Sequence, residues 1–199
     1  MAVCWCVNHR HLPVTEMRCR VVRITSSLMR TPVALSFWQV NEDMETSVTD
    51  VFAAGDVCSV SWGHTPDSLW FPMRLWTQAR QMGAFAAHSV ASRLTPHDHR
   101  IHFNFDVFSH VTSFFGYKVV LLGLFKGQHL TDYKLLFRVE AGKQCVQLVL
   151  KDGRVKGAVL IGDTDLEETM ENLIISQLDV SAIEDHLLDP DVDIEDYFD

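Results

Sequence analysis

Between residues 101 and 161 the chain repeats one kind of segment five times: IHFNFDVFSHV, FFGYKVVLLGLF, DYKLLFRVE, QCVQLVLKD and RVKGAVLIG. The first alternates apolar and polar residues, and the other four are rich in the β-branched and aromatic residues that fill strands. Successive side chains on a strand point to opposite faces, so such segments bury one face and leave the other for solvent or a second layer. Asp152-Gly153 separates the last two segments and tolerates the positive φ values of a two-residue hairpin. Strands joined this tightly pair antiparallel. A helix is predicted next. Thr164-x-x-Glu167 reads as a capping box, and Leu166, Met170, Leu173, Ile174 and Leu178 recur at helical spacing on one face. Residues 101–180 are therefore expected to form an α+β domain, an antiparallel sheet closed by a terminal helix.

Residues 41–94 have another texture. TSVTDVFAAGDVC, residues 46–58, runs a short apolar strand into Gly55 and Asp56. Two readings stay open at this level: a strand ending in an ordinary Gly-Asp turn, or a carboxylate held at the C-terminal edge of a parallel sheet, where open α/β folds bind ligands. A loop from Val57 to Pro72 leads to MRLWTQARQMGAFAAHSVASRL, which is helical. Met73, Trp76, Ala79, Met82, Ala86 and Val90 follow steps of three and four and predict the buried stripe. Gly83 inside that helix is unfavourable by about 1 kcal/mol relative to Ala, which points to close packing there. Together these make a βα unit whose sheet lies elsewhere.

The flanks set limits on function. Residues 1–40 carry five arginines against the single acid Glu16 and show no sustained period, so they read as a leader without built elements. Residues 163–199 hold fourteen Asp and Glu and no Lys or Arg, and residues 181–199 read as an acidic tail. Such a tail repels a nucleic-acid duplex or an anionic membrane and suits a protein partner. No apolar run is long enough to span a bilayer, and five cysteines in no regular framework suit a reducing compartment, so the chain reads as intracellular, in cytoplasm or nucleus. Three metal-like groupings fall short of a site. Cys4-x-Cys6 with His9-x-His11 is spaced more tightly than a zinc finger, and His97, His99 and His102 have no carboxylate or thiolate beside them. DPDVDIEDYFD places Ile194 where a calcium loop needs glycine. Cys58 and Cys145 read as small buried hydrophobes.

Thr46 to Asp56 resembles the second flavin motif of the FAD-dependent pyridine nucleotide-disulfide oxidoreductases, where a Thr-rich start leads through a strand to Ala-x-Gly-Asp. The helix WTQARQMG is similar to the W-x-x-A-x-x-x-G helix of the ferredoxin-reductase and nitrite-reductase branch. HVTSFFGYKVVLLG, GAVLIGDTDLEETMENLI and the acidic ending extend the resemblance over about residues 40–199, to the C-terminal part of an animal branch of that family. The resemblance implies that Asp56 accepts a hydrogen bond from a ribityl hydroxyl of FAD and that Gly55 lets the backbone approach it. It places Leu75 and Trp76 at a helix start facing the flavin ring, and it implies NAD(P)H as substrate. The fold it implies is a fragment of an FAD/NAD(P)-binding Rossmann-like domain over 41–94, followed by the α+β domain.

What the sequence lacks qualifies that reading. No G-x-G-x-x-G occurs, so neither pyrophosphate-binding turn of a two-dinucleotide enzyme is present, and no C-x-x-C or C-x-x-x-x-C supplies a redox disulfide. The chain is expected to be part of an FAD-dependent oxidoreductase, not catalytic by itself. The contrasting expectation is a non-catalytic interaction module built on residues 101–199, with a protein partner taken up by the C-terminal domain and acidic tail.

Overall fold

The structure, a computed structural model, describes residues 38–62, 68–94, 105–162, 164–189 and 194, together with the backbone of strands 3–6 and 20–22. The metal-like groupings of His9 and His11, and of His97, His99 and His102, lie outside the described residues, as does all of the calcium-like ending except Ile194. Two compact units divide the chain: residues 1–64 with 72–103, and residues 65–71 with 104–199.

The second unit is an antiparallel sheet with a helix on one face. Its strands are β6 (Ser109–Phe114), β7 (Tyr117–Gly123), β8 (Lys134–Glu140), β9 (Gln144–Lys151) and β10 (Arg154–Ile161), in the order β6-β7-β10-β9-β8. Asp152 and Gly153 take φ of 51° and 69° between β9 and β10, the hairpin turn expected from their identity. One face is dry. Val120, Leu122, Val146, Leu148, Leu150 and Leu160 from the strands pack against Met170, Leu173 and Ile174 of α2 (Glu167–Ser176). The core continues past the helix, because Leu187 and Ile194 are 0% and 4% exposed in it. The stretch expected as an acidic tail thus sends apolar anchors inward between its carboxylates.

Three local expectations fail for identifiable reasons. The first strand begins at Ser109, not at residue 101, because Phe105 and Phe108 leave the pleat to join an aromatic group. Phe108 stacks on Phe71 at 4.3 Å, and Phe105 meets Trp70 edge-on at 5.2 Å. Alternation in this stretch serves ring burial in a loop. FFGYKVVLLGLF is broken by a turn at Phe115-Gly116, with φ of 48° and 83°, so Phe114 pairs with Tyr117. The glycine carries the turn, and Phe115 stays 88% exposed. The capping box does not form either: Leu166 occupies the N-cap without a side-chain bond, and the Thr164 carbonyl accepts from the Glu167 amide at 2.9 Å. At its other end α2 is tied down by Gln177 in the left-handed conformation. The Gln177 side chain donates to the carbonyls of Val155 and Ile174, while Arg154 and Lys156 reach its acceptors. Two cations at a helix C-terminus also complement its dipole.

The first unit holds β1 (Val3–Cys6), β2 (Arg20–Val22), β3 (Trp38–Val40), β4 (Val51–Ala54), β5 (Cys58–Val60) and α1 (Trp76–Leu94). The expectation that Asp56 follows a strand of a parallel sheet is corrected here: β4 pairs antiparallel with β1, and β1 with β2, while only β3 and β5 pair parallel. The expectation of a leader without elements is corrected with it. A strand needs its backbone groups paired, and β1 supplies that to β4. On α1 the buried face is Gln78, Met82, Ala86 and Ser89, rotated from the predicted stripe so that Trp76 is 70% exposed. Gly83 is not a close-packing point, since a Cβ there would meet nothing within 4 Å.

At the C-terminal end of α1, Arg93 forks onto Glu45, with Nη1 to Oε1 at 2.7 Å and Nη2 to Oε2 at 2.5 Å, and lies 5.0 Å from the Phe52 ring centre. The guanidinium holds the Glu45 carboxyl below its ordinary 4.5. A carboxyl depressed on folding stabilises above its unfolded pKa, and that stability is lost as pH falls through the folded value. Glu45→Gln is therefore expected to lower the melting temperature at pH 7, and the gap to the parent should close as pH falls below 4.5. The contribution is about 0.5–1 kcal/mol, because the pair is partly exposed and screened. Parallel melting curves that keep a constant gap down to pH 3 would remove the ion pair as its cause.

Candidate functional site

A cleft in the first unit gathers the end of β4, the strand β5 and the entry to α1. Gly55 turns the chain out of β4 with φ 80°. Its carbonyl accepts the Cys58 amide at 3.1 Å and the Cys58 thiol at 3.1 Å, which closes a tight turn with Asp56 at its crest. The Trp38 amide fixes the far side of the turn by donating to the Val57 carbonyl at 3.1 Å. The sulfur of Cys58 is engaged in this turn, in keeping with a packing role. Half-buried Asp56 has no hydrogen bond or ion pair among the described residues.

The opposite wall is the approach to α1. The Leu75 carbonyl accepts the first helical bond, from the Ala79 amide at 2.9 Å, and Gln78 reaches back so that its Oε1 accepts the Met73 amide at 2.7 Å. Gln78 is 5% exposed and shapes the cleft floor, yet the sequence reading passed over it. The signal available was its place in the first helical turn, where Glu or Gln commonly folds back on the preceding backbone. That turn contains no carboxylate, so the positive end of the helix is uncompensated by acid. The cleft encloses about 220 Å³, lined by Gly55, Asp56, Cys58, Met73, Arg74 and Gln78 among others. Of the four residues singled out from sequence, Gly55 and Asp56 line it. Leu75 and Trp76 begin the helix beside it without lining it.

The donor set suits a neutral polyhydroxyl group: an unengaged carboxylate to accept from a hydroxyl, and a guanidinium and helix start across from it. Among the described residues no cluster of three His, Cys, Asp or Glu could hold a metal ion. No helix described is long and apolar enough to cross a membrane.

No family model matches the chain. Pyridine nucleotide-disulfide oxidoreductase domain-containing protein 1 of Rattus norvegicus is 51% identical over 162 residues, which are 81% of this chain and 32% of that protein. The protein of the same name from Dictyostelium discoideum is 43% identical over 182 residues, covering 80% of this chain and 33% of its own length. The chain belongs to the pyridine nucleotide-disulfide oxidoreductase family. This family member spans about a third of the length of the curated relatives it matches. Among solved structures, NADH:rubredoxin oxidoreductase from Clostridium acetobutylicum superposes with a TM-score of 0.53 at 20% identity, over 80% of this chain and 38% of that one. At that identity the likeness is one of fold. It suits an oxidoreductase-family chain whose second unit is a five-stranded antiparallel sheet with a helix on one face.

Proposed function

We propose that this chain supplies one wall of the flavin site of an FAD-dependent oxidoreductase that draws on NAD(P)H, and that residues 41–94 are the remnant of its Rossmann-like FAD-binding domain. The observation that carries the reading is the Asp56 carboxylate, unengaged among the described residues and held over a cleft by the Gly55 turn. FAD, when bound, accepts hydride and passes the electrons on. The chain's own part is to bind and orient. Asp56 accepts a hydrogen bond from a ribityl hydroxyl, and Gly55, without a Cβ, lets the main chain come close. Leu75 and Trp76 open α1 on the ring side, and the positive helix end favours negative charge there.

The size of the cleft limits the role. Cofactor pockets are usually about 300–1,000 Å³, and 220 Å³ takes a fragment of a dinucleotide, not the whole. No G-x-G-x-x-G turn in this sequence offers amides to a pyrophosphate. The expected result on mixing the purified chain with FAD and NADH is therefore a measurable change in flavin fluorescence without NADH oxidation above the rate of FAD alone. Steady NADH consumption with retained flavin would overturn the non-catalytic half of this reading. Fluorescence identical to that of FAD in buffer would overturn the flavin wall.

A further inference from the structure

The two faces of the antiparallel sheet are both apolar, and one strand carries that character to an open edge. Cross-strand partners share a face, so the pairings of β8 and β9 place Leu135, Phe137 and Val139 in register with Val149, Gln147 and Cys145, on the side opposite the helix-covered core. On β8 these three side chains are 43%, 57% and 67% exposed, a continuous apolar ribbon on an edge strand of seven residues. Edge strands are ordinarily protected by charge, proline or a bulge. On β8 the charged residues Lys134, Arg138 and Glu140 all lie on the other face, with Leu136, and leave the ribbon unguarded. Among the described residues β8 hydrogen-bonds through its backbone to β9 alone.

We propose that β8 is a self-association edge that pairs antiparallel with β8 of a second copy of this chain about a two-fold axis through Phe137. The sequence of the strand, KLLFRVE, is self-complementary in that one register. Phe137 meets Phe137 of the second copy, Leu135 meets Val139, Leu136 meets Arg138 and Lys134 meets Glu140. The ribbon closes into one apolar stripe across the axis, and opposite charges face each other at both ends of the paired strands. Lys134 and Glu140 now hold Glu184 and Lys143, at 2.9 Å and 3.0 Å, but those pairs are solvent-exposed and exchange at little cost. A shift by one residue would bring Lys134 opposite Val139 and break both charge matches, so the register is specified. The other edge, β6, lacks this symmetry. Its six residues end in Phe114, which no two-fold register sets against itself without unpairing most of the strand.

This inference stands apart from the flavin reading and is tested without flavin. Sedimentation of the parent chain is expected to give the mass of two chains at high concentration, falling to one on dilution. Phe137→Lys puts like charges face to face on the axis and should weaken association at least tenfold, with an unchanged circular dichroism spectrum because the site is exposed. In a Cys145→Ser background, Phe137→Cys should form an interchain disulfide under mild oxidation. Residues opposed in an antiparallel pair lie about 4.5–5.5 Å apart between Cα atoms, within disulfide reach. Leu135→Cys should not, since it would lie about 13 Å from its own copy at 3.3–3.4 Å per residue. A single-chain mass at the highest concentration, a dimer indifferent to Phe137→Lys, or equal cross-linking by the two cysteine variants would each overturn the proposal.

Discussion

Gly157→Ala is expected to destabilise the second unit by about 3 kcal/mol or more, at the upper end of what overpacking costs. A Cβ built at Gly157 would sit 2.3 Å from the Leu124 carbonyl carbon and 2.5 Å from both the Leu124 oxygen and the Phe125 nitrogen. All three are main-chain atoms, so no side chain can rotate aside. The crossing is pinned as well: the Leu124 amide donates to the Lys156 carbonyl at 2.8 Å, and the Gly123 amide to the Phe108 carbonyl at 2.7 Å. To admit a methyl group, the chain leaving β7 must lift from β10, loosening both bonds and the aromatic group behind Phe108. Urea unfolding should show the midpoint falling with an unchanged slope. Gly83→Ala is the matched control. Nothing lies within 4 Å of its Cβ and it sits inside α1, so the same substitution should stabilise by about 1 kcal/mol. Shifts of one sign in both variants would refute the steric argument.

Those two glycines also mark what can and cannot be read from a sequence. Gly83 looked like a packing point because glycine in a helix interior is costly, but the cost is an intrinsic one and does not identify a neighbour. Gly157 looked like one more residue of a strand, and its necessity comes from a loop more than thirty residues earlier in the chain. Local chemistry was legible. Asp152-Gly153 predicted its hairpin because the turn depends on those residues' own φ preferences, and Met170, Leu173 and Ile174 lie buried as their period implies. The failures involve competition over distance. Phe105 and Phe108 had a strand-like period and were drawn away by Trp70 and Phe71. The helix α1 turned a polar residue, Gln78, inward because it could bond the Met73 amide, and the apolar stripe moved with it. For the site, Gly55 and Asp56 stood out because a strand running into that pair is locally unusual. Met73, Arg74 and Gln78 become neighbours of Asp56 only once the chain between them has folded back.

Asp56→Ala is expected to weaken FAD binding roughly ten- to a hundredfold when made at the corresponding aspartate of a full-length relative, where the rest of the fold can anchor the dinucleotide. The magnitude follows from the nature of the contact. A hydrogen bond to a charged acceptor in a protected site contributes about 1.5–3 kcal/mol, and each 1.4 kcal/mol is a factor of ten in affinity. In this chain the carboxylate has no competing partner among the described residues, so a ligand hydroxyl would not have to displace an internal bond. Asp56→Asn separates charge from shape. The amide keeps an acceptor oxygen in the same place, so it should retain part of the affinity that alanine loses. Cys58→Ser should leave affinity nearly unchanged, because the hydroxyl can donate to the Gly55 carbonyl as the thiol does and hold the same turn. Flavin titration by fluorescence, with melting temperature measured alongside, distinguishes loss of a contact from loss of the fold. If alanine and asparagine at this position both bind FAD as tightly as the parent while Cys58→Ser does not, the turn matters through its backbone and Asp56 is not the group that holds the ribityl chain.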